Sequence, residues 1–293
     1  MDSQLESILS AIESVSLELL FGLILVELLV LWGLARWRSK KESWVSLACF
    51  ALAILPYELF FGLLEYQLME WVYDHARLVT LGGEWWVWAL AFAFFDLSWW
   101  GVHFAAHKVR FLWCIHGVHH TPTEMNMSVA IRGSLLDFVE YAPLMVWLPI
   151  LGFHPLMVLT VNVLARLYGV FTHLHEGFLR RTPLLDRVLI TPSLHRVHHA
   201  KNSVYIDTNY ANMFSFWDRL FGTRRLEVEG MAPVFGVTDE RVDAGSVVSS
   251  QVGLWWTLLA DLRSAPSWID RFKHLVMPPD WRPSLPAAPR STA

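Results

Sequence analysis

Five histidines fall between His103 and His120 in the stretch HFAAHKVRFLWCIHGVHH, directly behind a run of apolar and aromatic side chains. Farther along, HRVHH repeats the spacing of HGVHH, so His195, His198 and His199 are placed as His116, His119 and His120 are. Positions i, i+3 and i+4 share one helical face, which aims each HxxHH triplet at a point; His103 and His107, four apart, also share a face. With 13 histidines in 293 residues, chance would give roughly 0.02 to 0.03 HxxHH matches, so two matches and an HxxxH are not accidental. Imidazole is costly to bury without a partner, and it suits Zn, Cu, Fe and Ni. Eight imidazoles exceed what one four- to six-coordinate ion can use, so two ions are expected. A structural zinc site would be smaller and commonly built with Cys, and the chain has only Cys49 and Cys114, too few for a cysteine site. A bis-His haem would use single histidines at membrane depth, and a zinc metalloprotease would need HExxH. A redox dimetal centre, of iron, placed where a lipid chain can reach it, is the chemistry that remains.

The elements that must position these residues are membrane helices. The chain is 54% hydrophobic and 17% charged with a mean hydropathy of +0.37, too apolar for an ordinary soluble domain. Its net charge of -4 offers nucleic acid no electrostatic footprint, so no such partner is expected. The first sixteen residues carry acids and no Lys or Arg, unlike the positive start of a cleaved signal, so the first apolar run reads as a retained span. Apolar runs at 17–34, 44–64, 85–104, 135–153 and 155–171 predict an all-α integral membrane protein of four to five transmembrane helices. Pro143 and Pro149 make the fourth the least regular. Arg36, Arg38, Lys40 and Lys41 follow the first span, while acids alone precede them, which puts the N-terminus outside. The clustered histidines then fall on the cytoplasmic side, in a histidine-rich helical cap.

Three regions follow: N-terminal transmembrane helices in 1–95, a histidine-box catalytic domain with a transmembrane hairpin in 96–223, and a C-terminal segment in 224–293. In the last, GLWWTLLADLRSAPSWIDRFKHLV suits either two helices in the membrane interface, with Trp255, Trp256 and Trp268 at headgroup depth, or a core-facing cap helix. The tail PSLPAAPRSTA reads as disordered.

HFAAH, LWCIHGVHH, TPSLHRVHH and NYANMFSFWDRLFGT, in that order, resemble the fatty acid hydroxylase and sterol desaturase superfamily of membrane di-iron enzymes over about 96–223. HHTPTEMNMSVAIR, WDRLFGT and HLVMPPDW are most similar to its alkylglycerol monooxygenase-like branch, with its bacterial relatives. The resemblance implies an oxidoreductase that uses O2 to hydroxylate or desaturate a C–H bond in a lipid (fatty acyl, sterol or ether lipid), in a bacterial plasma membrane. It implies two irons, replaceable by zinc, and a separate electron donor of reductase, ferredoxin or cytochrome type. Lys108 stands where that branch carries an acid, a departure that bears on an ether-lipid substrate and leaves the ligands untouched. The superfamily also uses a histidine between its second and third boxes, which here is His173 or His175 in FTHLHEG; counting back from TPSLHRVHH favours His175.

Asp96, on the helical stripe of His103 and His107, is placed to accept an imidazole N–H and fix its tautomer, and Asn126, Asn209, Asp207 and Asp218 are weaker candidates of that kind. Glu27 and Glu58 are read as buried and paired across the first two spans. His75 and His154 fall on the outer side and His274 has no partner spacing, so none is a ligand. The rival class is a membrane metal-binding or transport protein, but transport wants polar ligands along several spans, and these cluster at one boundary. The charge asymmetry predicts that a reporter fused after Phe178 reads cytoplasmic and one inserted in 70–83 reads external; a reversed pair would dismantle the orientation.

Overall fold

The computed structural model of the chain describes residues 7, 11, 15–57, 62–179 and 181–283. Glu58 and most of the Pro-rich tail lie outside them. The described elements are helical: α1 (Ser16–Gly33), α2 (Lys40–Pro56), α3 (Gly62–Ala76), α4 (Trp85–Lys108), α5 (Arg110–His116), α6 (Asp137–Ile150), α7 (Pro155–Thr172), α8 (Pro192–His198), α9 (Phe216–Leu220), α10 (Val247–Ser264) and α11 (Trp268–Val276). A 3-10 turn at Met127–Ile131 and two isolated β-bridges complete the secondary structure that matters for the site.

Three of these helices, α1, α4 and α7, are long and apolar enough to cross a membrane. That is fewer than the five runs predict. Of the run at 44–64, the described helices cover the part to Pro56 and the part from Gly62, and residues 58–61 lie outside the described residues. The run at 135–153 yields α6, whose 14 residues cover about 21 Å against a hydrocarbon core of about 30 Å. Along α1, Leu19, Leu25, Val26, Leu29 and Trp32 are each more than half exposed, a continuous apolar strip that suits lipid. In lipid the association of helices rests on close packing rather than on escape from water. The tightest packing is where Val87, Ala91 and Phe95 of α4 meet Leu148 of α6 and Met157, Val161 and Ala165 of α7, all at most 1% exposed. Helix α7 is half buried and so is the central post of the bundle.

The hairpin between α6 and α7 turns at Gly152, whose φ of 98° suits glycine; a Cβ there would lie 2.2 Å from the Val79 carbonyl oxygen. Pro155 opens α7, and the His154 ring accepts the Leu156 N–H at 3.3 Å, so this excluded histidine serves as a helix cap.

At the opposite end, the short helices and loops form a cap over the C-terminal ends of α4 and α7. Arg132 is its buried tie: its guanidinium donates to the Glu42 and Ala244 carbonyls and to Ser250 Oγ, joining α2, the 3-10 turn and α10. Helix α10 buries Leu254 and Leu258 against Cys114 of α5, while Trp256 and Trp268 stay well exposed, so the C-terminal pair is both docked on the cap and aromatic on its outer face. Gly152→Ala is expected to destabilise the protein by at least about 1 kcal/mol, since both the positive φ and the Val79 contact oppose a Cβ. A thermal melt in detergent checks this, and an unchanged midpoint would mean the turn relaxes without cost.

Candidate metal centre

The nine histidines that converge do so as two sets. His103, His107, His116, His120 and His198 form one, and His119, His173, His195 and His199 the other, with the ligand nitrogens of each set within 4.8 Å of one another. The triplets therefore do not each aim at one point, as their spacing suggested. In every box the i and i+4 histidines stay together (103 with 107, 116 with 120, 195 with 199), and in the two HxxHH boxes the i+3 member crosses to the other set. On a helix, residues i+3 and i+4 differ in direction by about 100°, so His198 and His199 point to different sides, and His119 and His120, in the turn that follows α5, diverge likewise. The sets adjoin: the rings of His120 and His199, one from each, stack 4.3 Å apart.

Outward acceptors fix which nitrogen faces in. His103 Nδ1 donates to the Tyr210 carbonyl at 2.7 Å, His198 Nδ1 to that of Thr208 at 2.8 Å and His173 Nδ1 to that of Gly169 at 2.6 Å. His116 Nδ1 meets Glu140 Oε1 at 3.0 Å, and His107 Nδ1 faces Asp207 Oδ1 at 3.7 Å. Each such bond leaves the Nε2 lone pair pointing inward. Burial, reinforced by neighbouring imidazoles, pushes His119, His120, His195, His198 and His199 well below the usual histidine range, and burial pushes His173 down to about 4. The rings are neutral near pH 7, the form that binds a metal.

The inward nitrogens have no ordinary use for one another. In the second set the Nε2 atoms of His173, His195, His199 and His119 lie 2.9 to 3.2 Å apart, and in the first His116 and His120 Nε2 are 3.2 Å apart. With His173 Nδ1 already holding its proton, its Nε2 presents a lone pair to three crowded neighbours. The Nε2 atoms of His103, His107 and His198 are buried with no hydrogen-bond partner at all. Nitrogens bound about 2.1 Å from one cation at tetrahedral or right angles would sit about 3.0 to 3.4 Å apart. The donor set thus fits one cation in each group.

Several sequence-predicted residues hold other posts. His175 is outside both sets: its Nδ1 accepts the Gly177 N–H at 3.0 Å, so its proton sits on Nε2, which faces Glu124 at 3.7 Å. Asp96 touches no imidazole; its carboxylate accepts the N–H groups of Asn212, Met213 and Phe214 at 2.8 to 3.1 Å and so pins the strap that carries Tyr210. Asn126 caps the 3-10 turn through Ser128, and Asn209, in a left-handed conformation at φ 58°, links the carbonyls of Leu194 and Arg225. Asp218 gathers Tyr210 N, Ala211 N, the Trp100 indole and Thr223, which gives the WDRLFGT tract a structural reason. Asp207 lies beside His107 and also pairs with Lys108. Glu27 spends its two oxygens on the N–H groups of Met127 and His175. His274 meets Arg110. Glu140 was not foreseen, because nothing in DFVEY carries ligand spacing; only the fold brings α6 beside His116.

A cavity of about 240 Å³ runs from α1 and α2 along α7 and ends on His103, His116, His119, His173 and His195, members of both sets. Its other walls are mostly apolar, including Leu17, Leu20, Phe50, Ile54 and Val170.

Residues 88–223 match the fatty acid hydroxylase family. Over 268 residues, 90% of the chain, the sequence is 30% identical to the human alkylglycerol monooxygenase, of which it covers 59%. It is 31% identical to the ornithine lipid hydroxylase OlsE of Rhizobium tropici over 41% of the chain and 36% of that protein, and 29% identical to human cholesterol 25-hydroxylase over 45% and 48%. The chain spans about half the length of the curated relatives it matches. These relatives are animal as well as bacterial, so they give no support to a specifically bacterial membrane. No solved structure matches.

The two sets predict that His173→Ala lowers bound metal while His175→Ala leaves it near the wild-type value, measured by elemental analysis of purified protein. Equal losses would contradict the division of labour. Asp96→Ala, which strands three backbone N–H groups, should cost stability and metal together, at least about 2 kcal/mol in a denaturation midpoint.

Proposed function

Because residues 88–223 belong to the fatty acid hydroxylase family, we propose that the chain is a membrane di-iron oxygenase that hydroxylates, or desaturates, a C–H bond in a lipid with O2. The observation that carries the proposal is the joining of two nitrogen sets to one largely apolar cavity that opens among membrane-length helices. For hydroxylation the balance is R–H + O2 + two electrons + two protons giving R–OH + H2O, so a reductant must supply two electrons, and in this reading it is a separate donor protein. Bound irons would supply the O2 activation and the two-electron redox capacity that an unactivated C–H bond requires.

The chain's own residues do the rest. Imidazole ligands add no negative charge, so the ions would keep their full positive charge. Tyr210, Thr208, Gly169 and Glu140 hold the rings in the tautomer that turns Nε2 inward. The apolar walls orient an alkyl chain and keep bulk water from the reacting end. The relatives' printed names, which speak of an alkylglycerol, an ornithine lipid and cholesterol, share a lipid substrate, and that shared class is what we carry to this chain. The cap faces the cytoplasm in this reading, as the basic residues after α1 favour.

The test uses the full chain in lipid nanodiscs, loaded with iron anaerobically and then given reductant and O2. Wild type should consume O2 and yield a hydroxylated or desaturated lipid by mass spectrometry, and His199→Ala should give neither. If wild type instead moves zinc across sealed vesicles with no O2-dependent product, a transport role replaces this one.

A further inference from the structure

The cavity is not apolar along its whole length. Where it passes between α2, α3 and α7 it is lined by Tyr57, Glu65 and Arg166. Tyr57 donates its O–H to Glu65 Oε2 at 2.7 Å. The other oxygen, Oε1, is buried without a hydrogen-bond partner among the described residues, on a side chain whose residue is 9% exposed. The Arg166 guanidinium lies 5.9 Å from the centre of the Tyr57 ring, on an exposed side chain. A charged group partway along a membrane-length helix, as Arg166 is on α7, is costly and usually marks a ligand path, and the stranded buried acceptor of Glu65 on the neighbouring α3 adds to that cost. Arg166 stands seven residues before His173 on α7, about 10 Å along the axis, so these groups sit away from the nitrogen sets but in the same cavity.

Their chemistry selects a ligand. Oε1 offers an acceptor and Arg166 offers donors, and one hydroxyl group satisfies both, giving its proton to Glu65 and its lone pair to Arg166. A fatty carboxylate or a phosphate brings acceptors only; it could take the Arg166 donors, but it would meet the two acids on the same wall, Glu65 and Asp137, acceptor to acceptor and leave Oε1 unsatisfied. A bare hydrocarbon satisfies neither group. We infer that Tyr57, Glu65 and Arg166 form a subsite for the alcohol group of the lipid, which selects alcohol-bearing over acid-bearing chains and sets how far along the chain the carbon at the histidines lies. The inference rests on the reading of the cavity as a lipid site.

The test is equilibrium binding of radiolabelled hexadecan-1-ol, palmitate and hexadecane, equal in chain length, to the full chain in nanodiscs, corrected for protein-free nanodiscs. Wild type should bind the alcohol at least about tenfold tighter than either other probe. Glu65→Gln, whose amide gives a carboxylate a donor, should bring alcohol and palmitate within about threefold of each other. Arg166→Met, on an exposed side chain where Met keeps an unbranched stem beside the Tyr57 ring, should weaken the alcohol by about tenfold with metal content unchanged, and it serves if the Glu65 variant does not fold. Alcohol and palmitate binding alike to wild type, or an Arg166→Met protein that binds the alcohol as wild type does, would overturn the subsite. Because binding is measured without O2 or reductant, a missing oxidation product would sink the oxygenase proposal alone, and a missing alcohol preference the subsite alone.

Discussion

Lone pairs of nine imidazoles turned toward two small volumes are the constraint from which the rest of the structure follows. Nitrogens 2.9 to 3.2 Å apart, buried and held neutral, repel unless protons or cations lie between them. Where the Nδ1 proton is already given to an outward acceptor, a cation is the partner that satisfies several lone pairs at once. Such an arrangement is preserved only if rings are held from behind, and the carbonyls of Gly169, Thr208 and Tyr210 and the Glu140 carboxylate hold those of His173, His198, His103 and His116.

Those acceptors come from parts of the chain far apart in sequence, which explains the many buried polar clamps in a chain this apolar. The strap from Asp207 to Phe214 supplies two of the carbonyls, and two buried carboxylates fix it from Tyr210 onward. Asp96 of α4 takes the N–H groups at 212–214, and Asp218 takes those at 210 and 211. Asp207 and Asn209 accept left-handed backbone to make the bend. Membrane helices contribute differently: α4 delivers the His103–His107 pair at its C-terminal end, and α7 ends at His173 after lining the cavity. Substrate path and nitrogen sets thus share α7.

The sequence showed the histidine boxes because ligand spacing on a helix is local, and it showed the membrane character because hydropathy is additive over a span. The division of nine histidines into five and four was hidden, since it depends on how α4, α5, α7 and α8 face one another, and on the 100° between adjacent helical positions. The choice between His173 and His175 was equally hidden. It turns on the Gly177 N–H that occupies His175 Nδ1 and on Glu27 and Glu124, residues distant in sequence that hold His175 away. Asp96 shares the helical stripe of His103 and His107, yet its partners are backbone groups of a loop whose path no periodicity announces. The run at 135–153 looks long enough by composition, and the 14-residue length of α6 falls short of a span.

The measurement that reaches the central claim most directly is iron X-ray absorption on anaerobically loaded protein, read together with iron per chain. Two cations in adjoining all-imidazole sets predict two irons per chain, a first shell of light atoms dominated by imidazole scattering without sulfur, and a second iron in the outer shells. One iron per chain at full loading, with no iron in the outer shells, would contradict the account.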